Sequence, residues 1–154
     1  MAEIYPFQAV RPAEKLAGKI AALPYDVYSS EEARREVERN PYSFLKVDRA
    51  ETQFPAGTSP YEDAVYQKAA QTLQEMQQDG ELIREDAPSL YLYELTMEGR
   101  SQTGFVGCAS VREYEQGEIR RHENTRAEKE EDRVRHVDAC NAHTLSLIHI
   151  SEPT

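Results

Sequence analysis

The chain has 154 residues, with 28 acids against 18 Lys and Arg and a formal net charge of −10. Acidity of that size repels nucleic acid and anionic membrane, so any phosphate contact needs a local basic patch. With 39% apolar residues, the composition supports a core and excludes a chain too polar to fold.

In chain order, EIYPFQAV predicts a short edge strand, with Ile4, Phe7 and Val10 apolar and Pro6 withholding a ladder donor. RPAEKLAGKIAAL predicts a helix from Pro12 to Pro24, because Leu16, Ile20 and Leu23 recur at helical spacing. In PYDVYSSEEARREVERNP, Ser29 and Glu32 form the pattern of a capping box, and Asn40-Pro41 stops the helix. YSFLKVD reads as a second strand, and residues 50–60 as a loop on their Pro, Gly and Ser content. A long helix follows, with Ser59 available as a cap and Val65, Ala69, Leu73 and Met76 as its apolar stripe. Gly80 is placed to close it in the left-handed conformation.

SLYLYELTM and QTGFVGCASV, joined by EGRS, predict a hairpin whose first strand is buried on one face. Gly104 and Gly107 suit a close backbone approach in the second strand. EYEQGEIRR then turns the chain into a last, highly charged helix. The expected class is α+β: mixed helices and a small sheet that includes the hairpin. Cys108 and Cys140 lack metal-ligand spacing, so free thiols and no metal site are expected. The N-terminal MAEIYPFQAV has neither the basic start nor the apolar stretch of a signal peptide, and no apolar run reaches membrane-spanning length. These features predict a cytoplasmic protein with no membrane partner.

The last helix carries the sharpest pattern. At about 100° per residue, His122, Arg126, Lys129, Arg133 and His136 fall within an arc of roughly 80°. Five potential cations on one stripe can neutralise a phosphate or a nucleotide tail. Arg126 and Arg133 suit two-point contacts, Lys129 acts as a point charge, and His122 can donate near neutral pH. The same helix holds Glu123, Glu128, Glu130, Glu131 and Asp132, so solvated salt bridges are the competing explanation. Glu123 beside His122 and Thr125 is compatible with acid–base work. Asp26, in PYDV, is a second candidate, able to orient a substrate or ligate a metal, or simply to bond its own turn. There is no Walker-type loop and no dinucleotide fingerprint.

Several stretches together resemble one family. IYPFQAVRP, ALPYDVYSSEEAR, NPYSFLKVD, LYLYE followed by TGFVGCAS, and RRHENTRAEKEEDR are similar to the bacterial and archaeal family of domain of unknown function 1015. Its most specific pattern falls here on His122, Glu123, Thr125, Lys129, Asp132 and Arg133. Members of that family are typically longer. Their later half carries a DGHHR-type motif resembling the phosphate-binding turn of the ParB and sulfiredoxin superfamily, which includes free-serine kinases. The resemblance implies nucleotide or phosphate handling, with phosphoryl transfer to or from a small hydroxy acid such as serine. It implies Arg126, Lys129, Arg133 and Thr125 at phosphate oxygens, and Glu123, His122 and Asp26 as catalytic groups. A nucleotide and magnesium are the cofactors it suggests. No DGHHR occurs in this chain.

The final LSLIHISEPT, residues 145–154, back-translates to the end of a transposase-based sequencing adapter. The expected organisation is therefore an N-terminal piece of the family's domain over residues 1–144, followed by a non-native tail. Three readings stand open: a phosphotransferase acting on a small molecule with a nucleotide, a ParB-like DNA-associated module, and a scaffold part of a longer protein. The net acidity counts against DNA as a partner.

Overall fold

The structure is a computed structural model that describes residues 2–120 and 127–144. The elements run β1 (Ile4–Tyr5), β2 (Val10–Pro12), α1 (Ala17–Ile20), α2 (Ser30–Arg39), α3 (Leu45–Asp48), α4 (Asp63–Gln78), β3 (Leu82–Arg84), β4 (Tyr91–Met97), β5 (Arg100–Val106), β6 (Cys108–Ala109), α5 (Val111–Glu115) and α6 (Ala127–Cys140). Single 3-10 turns lie at Glu14–Leu16, Tyr25–Val27 and Ala50–Gln53. The class is α+β. The strands form three two-stranded ribbons, β1 with β6, β2 with β3 and β4 with β5, where one small sheet was expected. The chain divides into two compact units, Met1–Arg11 with Ile83–Asn124, and Pro12–Leu82 with Thr125–Thr154.

The first unit is built on the hairpin. β4 and β5 pair antiparallel from Tyr91↔Val106 to Met97↔Arg100. Glu98 and Gly99 turn the chain with φ of 50° and 79°, the two-residue, left-handed turn whose twist matches a hairpin. Tyr91 and Tyr93 are half-buried on one face, while Leu92 and Phe105, opposite each other across the ribbon, are 70% and 82% exposed. The Tyr91 hydroxyl donates to the Phe7 carbonyl and accepts from the Ala9 amide, both at 2.9 Å. The two glycines of β5 and its exit differ. A Cβ on Gly107 would lie 2.5 Å from Ile4 Cγ2, whereas one on Gly104 would meet nothing within 4 Å. Close approach therefore explains Gly107 and not Gly104.

The second unit is helical and holds the main core. Ile20, Val47, Leu73, Met76 and Leu82 form one buried cluster, and Ala50, Val65 and Ala69 a second. All four members of the expected α4 stripe are buried, each large side chain contributing about 1.5–3 kcal/mol. Gly80 closes α4 at φ 69°. The Ser59 amide donates to Glu62 Oε1 at 3.1 Å, but Glu62 itself is the α4 N-cap. The capping box of α2 forms as expected: the Glu32 amide donates to Ser29 Oγ and the Ser29 amide to Glu32 Oε2.

Two expectations are corrected. YSFLKVD is not a strand: α3 makes a single helical turn there, and residues 50–53 of the expected loop are a buried 3-10 turn. Leu45 and Val47, two apart, are 1% and 0% exposed, a spacing that mimics strand alternation. In so short a run the period cannot tell a strand from a helical turn packed on two sides. The expected helix from Pro12 to Pro24 is also shorter, because Pro12 belongs to β2 and α1 ends at Ile20, leaving Leu23 64% exposed.

Candidate functional site

A cleft of about 330 Å³ opens in the helical unit, between the Tyr25–Val27 turn, the end of α3, α4 and α6. The elements around it are held by arginines that sequence reasoning did not single out. Arg34 donates to the carbonyls of Glu51, Thr52 and Phe54, tying α2 to the 3-10 turn at Ala50–Gln53. Arg49 donates to the Tyr25 and Tyr28 carbonyls at 3.0 and 2.9 Å, to Ser30 Oγ at 3.0 Å, and to Glu51 Oε1 at 2.6 Å. Its whole guanidinium is thus spent on shaping the wall that carries Asp26. Arg135 donates to the Tyr61 carbonyl and to Asp63 Oδ1 and lies 4.3 Å above the Tyr66 ring, which fixes α6 against the start of α4.

α6 brings Lys129, Arg133 and His136 to this one cleft. The other two members of the cationic stripe, His122 and Arg126, and with them Glu123 and Thr125, lie outside the described residues. Lys129 is exposed at the cleft and has no partner among the described residues. Arg133 differs from its expected two-point role. Its Nε and Nη2 donate to Asp132 Oδ2 at 3.0 and 2.5 Å, and it stacks 4.7 Å above the Tyr25 ring. The remaining nitrogen, Nη1, is buried without a hydrogen-bond partner among the described residues. Tyr66 donates to the other Asp132 oxygen at 2.6 Å, and burial followed by that bond pushes its phenol pKa up.

His136, one of the five potential cations of the stripe, is only 4% exposed. Burial pulls its pKa down. Its Nε2 lies 3.0 Å from the Val47 carbonyl, which can only accept, so Nε2 carries the proton and Nδ1 keeps its lone pair. The stripe is therefore a geometric fact for its three described members, but it is not uniformly charged.

Asp26 is exposed and lines the same cleft, and among the described residues no bond from its carboxylate to its own turn is seen. The acid that sequence reasoning missed is Asp48, at the end of α3. Burial pushes its carboxyl up to about 7, against the opposing effects of a hydrogen bond from Thr144 and the Arg133 charge. Its Oδ1 is buried with no hydrogen-bond partner among the described residues. Cys140 is also affected: burial, with help from Asp48, raises its thiol to about 11 and leaves it a poor nucleophile.

Among the described residues no group of three or more His, Cys, Asp or Glu is arranged to hold a metal ion. No helix among them is long and apolar enough to cross a membrane. Comparison with curated proteins and with solved structures gave no match. The profile of the family described as protein of unknown function (DUF1015) matches residues 4–152, and the chain belongs to that family.

Proposed function

We propose that the cleft of the helical unit binds the phosphate of a small molecule or nucleotide, and that in this setting the protein acts as a phosphotransferase on a small hydroxy acid such as serine. One observation carries the reading: Lys129 and Arg133, whose Nη1 has no hydrogen-bond partner among the described residues, line a single cleft together with Asp26. A phosphate oxygen would accept from both nitrogens, in a site where Asp132 already fixes the arginine plane. Asp26, exposed and without a hydrogen-bond partner among the described residues, is the group that would face the acceptor hydroxyl. Thr125, Arg126, His122 and Glu123 keep the roles that the family resemblance implies for them.

The test is a titration of the whole chain with inorganic phosphate, ATP, serine and a DNA duplex at fixed ionic strength, followed by calorimetry and by NMR. Phosphate or ATP is expected to bind. Lys129→Ala should weaken it roughly tenfold, the loss of one charge-assisted hydrogen bond. Arg133→Lys should weaken it too, while keeping the charge. Affinity that ignores both substitutions would remove these residues from the site. DNA retention with steep salt dependence, and no phosphate binding, would favour the ParB-like module.

A further inference from the structure

Arg133 Nη1 and Asp48 Oδ1 are two of the three buried side-chain atoms left without a hydrogen-bond partner among the described residues, and both belong to residues lining the same cleft. Native proteins rarely leave such groups unsatisfied, because each costs about 1–3 kcal/mol. One is a donor and the other an acceptor, and no ion pair joins them. A single oxygen bearing a hydrogen, of water or of a ligand hydroxyl, satisfies both at once, since the oxygen accepts while its hydrogen donates. We propose that Asp48 and Arg133 form a hydroxyl-recognising floor in the cleft, where a ligand O–H donates to Asp48 Oδ1 and accepts from Arg133 Nη1. The ligand class is a phosphorylated polyol or hydroxy acid, with phosphate at Lys129 and its hydroxyl on this floor. The phosphate half of that description rests on the function proposed above.

The surroundings suit a carboxyl that responds to its ligand. From α6 the groups near Asp48 are Arg133, whose proximity pulls the Asp48 pKa down, and Cys140, whose raised thiol is uncharged at neutral pH. His136 and the paired Asp132 share the same cleft wall. On the side of the 3-10 turn the Arg49–Glu51 pair is self-compensating, and from α4 Val65 and Ala69 are apolar and Tyr66 is bonded to Asp132. Thr144 supports the carboxylate from beyond α6, and Asp26 and Lys129 are exposed residues lining the same cleft. With the Asp48 carboxyl near 7, a hydroxyl that donates to it favours its ionised form.

The experiment follows the Asp48 side-chain carbon by NMR from pH 5 to 9 in the whole chain, alone and with glycerol 3-phosphate, n-propyl phosphate or glycerol. The two phosphates differ in hydroxyls and share their charge, so the difference between them isolates the floor. Glycerol 3-phosphate is expected to lower the Asp48 midpoint relative to propyl phosphate. It should also bind several-fold more tightly at pH 8, an advantage that shrinks at pH 6 and is flattened in Asp48→Asn. Equal binding by both phosphates with identical Asp48 midpoints would overturn the floor and leave the phosphate reading standing. If neither phosphate binds, the phosphate reading fails. Glycerol alone then decides the floor: an Asp48 midpoint lowered by molar glycerol upholds it, and an unmoved one refutes it.

Discussion

Arg49→Ala should be among the most damaging single substitutions in the helical unit. The side chain is 14% exposed and its partner Glu51 4%. Removing it strands a buried carboxylate and frees the carbonyls of Tyr25 and Tyr28, both within 3.0 Å of Nη1. Breaking one side of a buried ion pair costs about 3–5 kcal/mol. Against a typical stability of roughly 5–15 kcal/mol this is a large fraction. In urea, where domains of this size lose about 1–3 kcal/mol per molar, the midpoint should fall by about 2 M. The Arg49→Met, Glu51→Leu double variant removes both charges and should recover much of the loss. Hydrogen exchange gives a local readout: the Val27 amide, which donates to the Pro24 carbonyl at 3.1 Å, should lose protection in Arg49→Ala first. A midpoint shift corresponding to under about 1 kcal/mol, or a double variant worse than the single, would refute the staple argument.

Three further outcomes are expected. Asp48 has a folded-state pKa raised from 3.8 to about 7, so the folded state binds the extra proton and stability falls as pH rises between those values; Asp48→Asn should therefore gain stability over the parent on going from pH 4 to pH 8, by a few kcal/mol (on the order of 4), as read by urea unfolding. His136 has its pKa lowered from 6.5 by burial, so its contribution is present above about pH 6.5 and lost as pH falls below it; His136→Gln should flatten the acid limb of the stability profile. Gly107→Ala should cost roughly 1–3 kcal/mol through overpacking against Ile4, Leu90 and the Tyr5 carbonyl, while Gly104→Ala should be neutral or slightly stabilising, and thermal unfolding of the two variants separates them.

Much of the local structure was legible because its causes are local. The Ser29–Glu32 box, the Gly80 closure and the α4 stripe depend on residues within a few positions of one another, and the pattern announces them. The alignment of Lys129, Arg133 and His136 was legible for the same reason, since helical period alone puts them on one face. Charge was not. Whether His136 is a cation depends first on its burial against segments as distant as Val47, 89 positions away, and Arg133 loses its fork to a neighbouring acid that the helical wheel treats as merely adjacent.

What tertiary structure alone decided is which polar groups meet and which are left over. Leu45 to Asp48 form a helical turn because Leu45 and Val47 are buried together, and that turn carries Asp48 into a cleft shared with Arg133. Burial then sets its proton affinity, a property of the surrounding atoms with no counterpart in the string KVDRA. The sequence by itself determined the α+β class, the family and the helix faces, because these follow from composition, motif and period. The buried donor and acceptor left without partners among the described residues exist only once the helices are packed, because desolvation belongs to a place and not to a residue.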